Sequence, residues 1–107
     1  MAKLPPWPKN KGKTTTVESI DGRPMRMTIE DEICVRQRSA PIGKLIYIQK
    51  MRFDEDRRTE YRFAYYRIGF RKGARGRWVF AQYAPLIPPT DLRRLLKKAR
   101  KHNWPGF

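Results

Sequence analysis

Residues 45–70 read LIYIQKMRFDEDRRTEYRFAYYRIGF, and this stretch holds two aromatic or β-branched runs separated by a short charged segment. Runs of this composition that end at turn residues are typical of β-strands. The charged segment 54–58 is too short for the crossover that parallel strands require. We therefore expect Leu45–Phe53 and Thr59–Phe70 to form an antiparallel pair.

The residues before this pair predict a hairpin. Thr14–Val17 is rich in strand formers, and Asp21-Gly22 is a strong turn dipeptide. From residue 25 to residue 35, apolar side chains recur mostly at odd positions and polar ones at even positions, which indicates a half-buried strand. Asp31 breaks this apolar face, so the strand is expected to bend there or to give way to a second strand. A helix over Ile29–Val35 is the alternative.

The residues after the pair predict one more strand and a helix. The loop 71–76 leads into the strand Arg77–Ala84, which ends at a proline. Apolar residues at 92, 95, 96 and 99 then form one stripe at helical spacing. Thr90 is the expected N-cap, with Asp91 in the first turn, and the helix is expected to end near His102-Asn103. Trp104 is expected to fold back against the helix or the sheet.

These elements predict an α+β fold: an antiparallel β-meander of about four to six strands with one C-terminal amphipathic helix packed on the sheet. Residues 1–13 are rich in proline and lysine, and we expect them to form a flexible basic arm, with docking of Trp7 on the body as the alternative. Residues 14–107 are expected to form a single domain.

The charge of the chain is its most unusual property. There are 25 Lys and Arg residues against 10 Asp and Glu residues, for a formal net charge of +15. Residues 57–107 carry 14 of the basic residues and only 2 of the acidic ones. Such a surface repels itself, and a polyanion relieves the repulsion and gains from the counterions it releases. The composition therefore predicts a partner of nucleic acid, either DNA or RNA.

Few residues could support catalysis. His102 and Cys34 are the sole histidine and the sole cysteine, which leaves neither a disulfide nor a cysteine zinc site. The acidic runs at 30–32 and 54–56 fit solvated charged segments better than magnesium sites. We expect no catalytic residue, no metal and no cofactor. We also expect a cytoplasmic, soluble protein without a membrane partner, because no stretch approaches the roughly 20 apolar residues of a membrane span.

Aromatic and basic side chains alternate through residues 61–80, and the predicted helix has a basic face opposite its leucines. Aromatic rings stack on bases while Arg and Lys contact phosphates, so this pattern favours sequence-tolerant binding that leans towards single strands. The candidate nucleic-acid-binding residues are Arg62, Tyr65, Arg67, Arg71, Lys72, Arg75, Arg77, Trp78, Arg94, Lys97, Lys98 and Lys101.

Both faces of the predicted sheet carry apolar groups, and one helix covers only one of them. The second face is expected either to stack bases or to be buried against the N-terminal hairpin or a second subunit, which would make a homodimer. Two other functions are considered. One is a structural or interaction protein that binds an acidic partner or a ribonucleoprotein assembly. The other is a small basic ribonuclease of the toxin type, which would work with Arg, Lys and Tyr.

Over residues 44–104, the order of a meander, a proline-bearing step at Pro85–Pro89 and a leucine-striped terminal helix resembles a group of single-strand DNA-binding folds. These are the transcription cofactors of the positive-cofactor-four type and the Whirly proteins. The resemblance is one of layout and implies a dimer that binds single strands through its sheet. It assigns no role to any individual residue.

Overall fold

The computed structural model describes residues 5–37, 39, 43–69, 73, 75–81 and 84–107. Within these residues the strands are β1 (Thr14–Glu18), β2 (Pro24–Arg36), β3 (Lys44–Phe53), β4 (Thr59–Ile68) and β5 (Trp78–Ala81), and a helix, α1 (Pro89–Lys101), follows. The five strands form a sheet in the order β1-β2-β3-β4-β5, and every neighbouring pair is antiparallel. The predicted α+β meander with one C-terminal helix is confirmed.

The central strand β3 is buried on both of its faces. Leu45, Tyr47 and Gln49 point to one side and Ile46 and Ile48 to the other, and all five are almost inaccessible to solvent. Because β3 is buried on both faces, another part of the chain must exclude water from each side of the sheet. The helix and the N-terminal segment provide these two covers.

The helix covers the first side, which we call the helix face. Ile33 and Val35 of β2 and Ile46 and Ile48 of β3 form one core cluster with Leu95 and Ala99 of α1. Leu96, on the adjoining flank of α1, packs against the same cluster. The amphipathic stripe predicted from residues 92–99 therefore packs on the sheet as expected.

An irregularity in β2 puts its apolar residues on opposite faces. Ile29 pairs with Met51, but Asp31 pairs with Lys50, so Glu30 is an extra residue in β2. Beyond it, Ile33 pairs with Ile48 on the helix face. Before it, Ile29 clusters with Met27, Met51 and Phe53 on the other face. The predicted bend near Asp31 is thus a β-bulge within one continuous strand, and the alternative of a helix there is wrong.

The start of α1 differs from the prediction. The N-cap is Pro88 in an extended conformation, and the helix begins at Pro89, so Thr90 lies in the first turn and caps nothing with its side chain. Proline is well suited to the first helical position, because the N–H it lacks would have no partner there. Asp91 lies in the first turn as predicted. Its carboxylate is buried and accepts a hydrogen bond of 2.8 Å from Arg94 Nη1.

The end of α1 matches the prediction. The helix ends at Lys101 with His102 as C-cap, and Asn103 takes a positive φ of 56° that reverses the chain. This reversal returns Trp104 to the helix face, where it is buried in the core cluster and stacks on Tyr61 at 5.5 Å between ring centroids. The Trp104 indole Nε1 donates to Asp31 Oδ2 at 2.9 Å, so the C-terminal segment is tied to β2.

The opposite side of the sheet is covered by the N-terminal segment, and we call it the arm face. Residues 5–10 cross it from β5 to β2: Trp78 Nε1 donates to the Pro5 carbonyl at 2.9 Å, and Tyr47 Oη donates to the Pro8 carbonyl at 2.6 Å. Asn10 is buried, and its backbone N–H donates to Glu32 Oε2 at 2.7 Å. We call residues 5–13 the arm; residues 1–4 lie outside the described part of the chain.

Two strand boundaries are shorter than predicted. β4 ends at Ile68, and Phe70 lies outside the described residues. β5 covers only Trp78–Ala81 of the expected Arg77–Ala84, and residues 82 and 83 are likewise outside. In the part of the chain that is described, no helix has the length and apolar character needed to cross a membrane.

Leu95→Ala is expected to lower the free energy of unfolding by about 2–5 kcal/mol, because it leaves a cavity between α1 and the sheet. Leu95 has no accessible surface. Leu86→Ala is the matched control, since 86% of Leu86 is exposed, and its effect should stay within about 0.5 kcal/mol. Urea unfolding followed by circular dichroism gives both values. Equal effects would contradict the packing of α1 described above.

Candidate nucleic-acid interface

All ten acidic residues lie in the described part of the chain, so the ion pairs of each described cation can be counted. Seven acids pair with a Lys, an Arg or His102: Asp21, Glu30, Asp31, Asp54, Asp56, Glu60 and Asp91. Among described residues, twelve basic side chains are exposed and have no acid within 4.0 Å: Lys9, Lys13, Arg36, Arg57, Arg67, Arg75, Arg77, Arg93, Lys97, Lys98, Arg100 and Lys101.

The two charge signs are separated along the strands. The turns 19–23 and 54–58 lie at one end of the antiparallel sheet, which we call the turn end, and they hold Asp21, Asp54, Glu55 and Asp56 beside arginines. The loops 37–43 and 69–77 lie at the other end. The described charged residues that flank these two loops are all cations: Arg36, Lys44, Arg67, Arg75 and Arg77. We call these five the basic end.

Strand register brings the cations of the basic end together. Lys44 of β3 lies directly opposite Arg67 of β4, and Arg67 lies opposite Val79 of β5. Like charges directly opposite each other on neighbouring strands are unfavourable. Lys44 Nζ donates to the Leu86 carbonyl at 2.8 Å, and partial burial lowers the pKa of Lys44 although the negative charge of Asp91 opposes this shift. An anion at this position would relieve the repulsion.

The β4–β5 loop adds two of these cations. Gly69 forms a bridge with Arg75, and the Gly69 N–H donates to the Arg77 carbonyl at 2.9 Å, so both arginines lie next to the end of β4. Gly73 and Gly76 have φ values of 91° and 77°, a backbone region that side-chain-bearing residues rarely adopt. The candidates Arg71 and Lys72 belong to the same loop but lie outside the described residues.

Two aromatic rings of β4 lie on the helix face, and one of them, Tyr65, is beside the basic end. Tyr65 is half-buried, with its ring centroid 5.1 Å from Lys44 Nζ, and Phe63, two residues earlier, is 44% exposed. Both belong to β4, which α1 leaves partly open because its main contacts are with β2. An exposed ring next to unpaired cations is the combination that stacks a base and neutralises its phosphate.

Two candidate residues instead take part in internal packing. Arg62 points to the arm face, where it donates to Gln49 Oε1 from Nε at 3.0 Å and from Nη2 at 2.7 Å. Burial lowers the pKa of Arg62. Trp78 is half-buried and uses its indole N–H to hold Pro5. Neither residue lies with Tyr65 and Arg67, whose side chains point to the opposite face of β4.

The candidate cations of α1 divide into two groups. Arg94 Nη1 donates to the Arg36 carbonyl at 3.1 Å and Lys98 Nζ to the Cys34 carbonyl at 2.7 Å, so these two cover the outer edge of β2. Lys97 and Lys101 are exposed. The basic face of α1 is therefore partly occupied by contacts within the fold.

Lys44 and Phe63 lie at the candidate interface but are not among the residues predicted from the sequence. Lys44 begins a strand whose next four residues are apolar, and only the β3–β4 register shows that it faces Arg67. Phe63 shares a β4 face with Tyr65 and Arg67, and this period-two relation was visible in the sequence. Its exposure was not visible, because it depends on where α1 lies.

The residues capable of nucleophilic or acid–base chemistry are held in other roles. Burial raises the pKa of the Cys34 thiol to about 12, so this group stays protonated and is a poor nucleophile. His102 Nδ1 lies 2.9 Å from Asp31 Oδ2, the same oxygen that Trp104 contacts. No group of three His, Cys, Asp or Glu side chains suited to a metal occurs among the described residues.

Comparisons of this chain with protein-family models, with curated proteins and with solved structures found no match. The likeness in layout to single-strand DNA-binding proteins therefore remains an expectation.

Asp31 makes the attachment of the C-terminal segment dependent on pH. Desolvation alone would raise the pKa of Asp31, but hydrogen bonds from His102, Trp104 and the Glu32 N–H outweigh it and hold the pKa below its usual 3.8. The stabilisation is therefore present above about pH 4 and is lost as the pH falls through the lower, folded-state pKa.

The difference in unfolding free energy between the native chain and Asp31→Asn is expected to shrink as the pH falls below about 4. Urea unfolding at a series of pH values measures this difference. Glu55→Gln, which removes a carboxylate from an exposed turn, is the control for charge alone. A difference for Asp31→Asn that stays constant or grows on acidification would contradict the role given to this carboxylate.

Proposed function

We propose that this protein binds nucleic acid through its basic end, mainly by contacts to the phosphate backbone and with little dependence on sequence. The observation that carries the proposal is the separation of charge: four acids, Asp21, Asp54, Asp56 and Glu60, pair with arginines at or beside the turn end, whereas the described charges flanking the opposite loops are all positive. A one-signed cluster of this kind raises the local concentration of a polyanion.

The preferred ligand is a single strand. Tyr65 lies beside Lys44 and Arg67, and the exposed Phe63 lies further along the same face of β4; a base must be unpaired to stack on these rings. Lys and Arg predominate at this surface, and such cations favour contacts to phosphates over reading of base edges. The expected behaviour is therefore binding of single-stranded DNA or RNA in preference to a duplex of the same sequence.

Fluorescence anisotropy with matched labelled single-stranded DNA, duplex DNA and RNA, at low and at physiological salt, tests the proposal. The logarithm of the association constant should fall linearly with the logarithm of salt concentration, with a slope of about −0.7 for each single-strand phosphate neutralised. The variant Arg67→Gln/Arg77→Gln should weaken binding and make the slope less steep by about 1.4, as expected for two lost contacts.

Arg23→Gln is the matched control, because Arg23 is an exposed arginine at the turn end that pairs with Asp21. It should leave both the affinity and the slope near the native values. Phe63→Leu should weaken binding to single strands more than binding to duplex. Equal losses from Arg23→Gln and the double variant would place binding elsewhere on the surface. No binding to any of the three ligands would favour an acidic protein as the partner instead.

A further inference from the structure

The arm has a backbone conformation that its own sequence dictates. Residues 5–8 read PPWP, so each of the four is a proline or directly precedes one. Proline fixes its own φ near −65°, and the residue before a proline is restricted to extended or polyproline II geometry. This segment is therefore preorganised as one turn of a polyproline II helix, which has three residues per turn and a rise of about 3.1 Å per residue.

The arm face binds this turn through its main-chain carbonyls. The Pro5 carbonyl accepts from Trp78 Nε1 at 2.9 Å, and the Pro8 carbonyl accepts from Tyr47 Oη at 2.6 Å. Carbonyls three residues apart point to the same side of a polyproline II helix and lie about 9 Å from each other. The Trp78 and Tyr47 donors therefore contact two carbonyls that are separated by one full turn of the polyproline II helix.

Further contacts recognise the residues that follow the turn. Tyr66 Oη donates to the Asn10 side-chain oxygen at 3.3 Å, and Asn10 Nδ2 donates to Glu32 Oε1 at 3.3 Å. Lys11 Nζ lies 3.8 Å from Asp31 Oδ1. The amide and the cation at the second and third positions after Pro8 therefore meet an aromatic hydroxyl and two carboxylates.

The main hydrogen bonds between the arm and the sheet could form equally well with a segment of another chain. The Trp78 and Tyr47 bonds go to backbone carbonyls, which every polyproline II segment presents. Trp7 is 42% exposed and borders a cavity of about 420 Å³ that Cys34, Lys98 and His102 also line, so this position has room for a large side chain. Aromatic grooves with such donors are a general means of recognising proline-rich peptides.

We infer that the groove formed by Tyr47, Tyr66 and Trp78 is a recognition site for a proline-rich segment of a partner protein, and that the arm occupies it as an internal competitor. The partner segment has the pattern Pro-x-x-Pro-x, followed by an amide residue and a basic residue. This site lies on the arm face, so the inference does not depend on nucleic-acid binding at the basic end.

The test uses the full chain and a fluorescent peptide with the sequence of residues 5–13, PPWPKNKGK, in the absence of nucleic acid. Saturable binding is expected, and it should tighten several-fold in the variant Pro5→Gly/Pro8→Gly. Glycine removes the preorganisation of the arm, so the groove is open in a larger fraction of molecules. A control peptide with alanine in place of its first and fourth residues keeps the charge and should bind more weakly.

Two tyrosine variants distinguish the groove from general effects on the protein. Tyr47→Phe removes the hydroxyl that holds the Pro8 carbonyl, whereas Tyr61→Phe removes a hydroxyl that holds the Pro105 carbonyl on the other side of the sheet. Each tyrosine change is made separately in the Pro5→Gly/Pro8→Gly background. Tyr47→Phe should weaken peptide binding about fivefold, which corresponds to the free energy of one hydrogen bond. Tyr61→Phe should leave it unchanged.

Three results would overturn the inference. One is no saturable binding to either the native chain or the Pro5→Gly/Pro8→Gly variant. Another is equal affinity for the proline and alanine peptides, or equal effects of the two tyrosine variants. The third is a Pro5→Gly/Pro8→Gly variant that forms dimers in sedimentation and binds no peptide. This result would show that two copies of the chain exchange their arms by domain swapping.

Discussion

Burial of β3 on both faces is the constraint on which the rest of this structure depends. A strand with apolar side chains pointing in both directions is stable only when two separate layers exclude water from it. Here α1 supplies one layer and the arm supplies the other. Because the arm comes from one terminus and the helix from the other, both ends of a 107-residue chain are needed to complete the core.

The same constraint determines where charge can lie. With both faces of the central sheet occupied, the cations are left to the sheet ends, the strand edges and the outer side of α1. Several of them stabilise the fold: Arg94 and Lys98 cover carbonyls at the edge of β2. Those at the basic end form no ion pair with an acid, and Lys44 and Arg67 even face each other across strands. Repulsion between these two cations destabilises the free protein, and a bound anion would relieve it.

Sequence reasoning predicted the elements better than their contacts. The meander and the terminal helix followed from composition and period, because both patterns are local. In the sequence, the bulge at Glu30 is visible only as a break in the apolar pattern at Asp31. Because the extra residue shifts the alternation, odd-numbered apolar residues before it and after it point to opposite faces of the sheet. Thr90 looked like a cap, but Pro88 and Pro89 begin the helix earlier. In each case the deciding factor was geometry that the one-dimensional pattern leaves open.

The candidate interface was predicted in part for the same reason. Arg67, Arg75 and Arg77 lie together at the basic end, as a basic segment near one loop suggested. Arg62 and Trp78 have the same residue types and lie in the same segment, but strand alternation points them to the arm face, where they bind Gln49 and Pro5. The polyanionic partner stays a prediction from composition, and the choice of candidate residues required the strand register and the path of the arm.

Backbone amide chemical shifts of the full chain, followed by NMR during titration with a short single-stranded oligonucleotide, test the central claim most directly. If nucleic acid binds at the basic end, shift changes should be concentrated at Arg36, Arg67 and Arg77 and their neighbours on β4, with the turns 19–23 and 54–58 unaffected. Shifts concentrated at those turns, or spread evenly over the surface, would contradict the claim that charge separation defines the binding site.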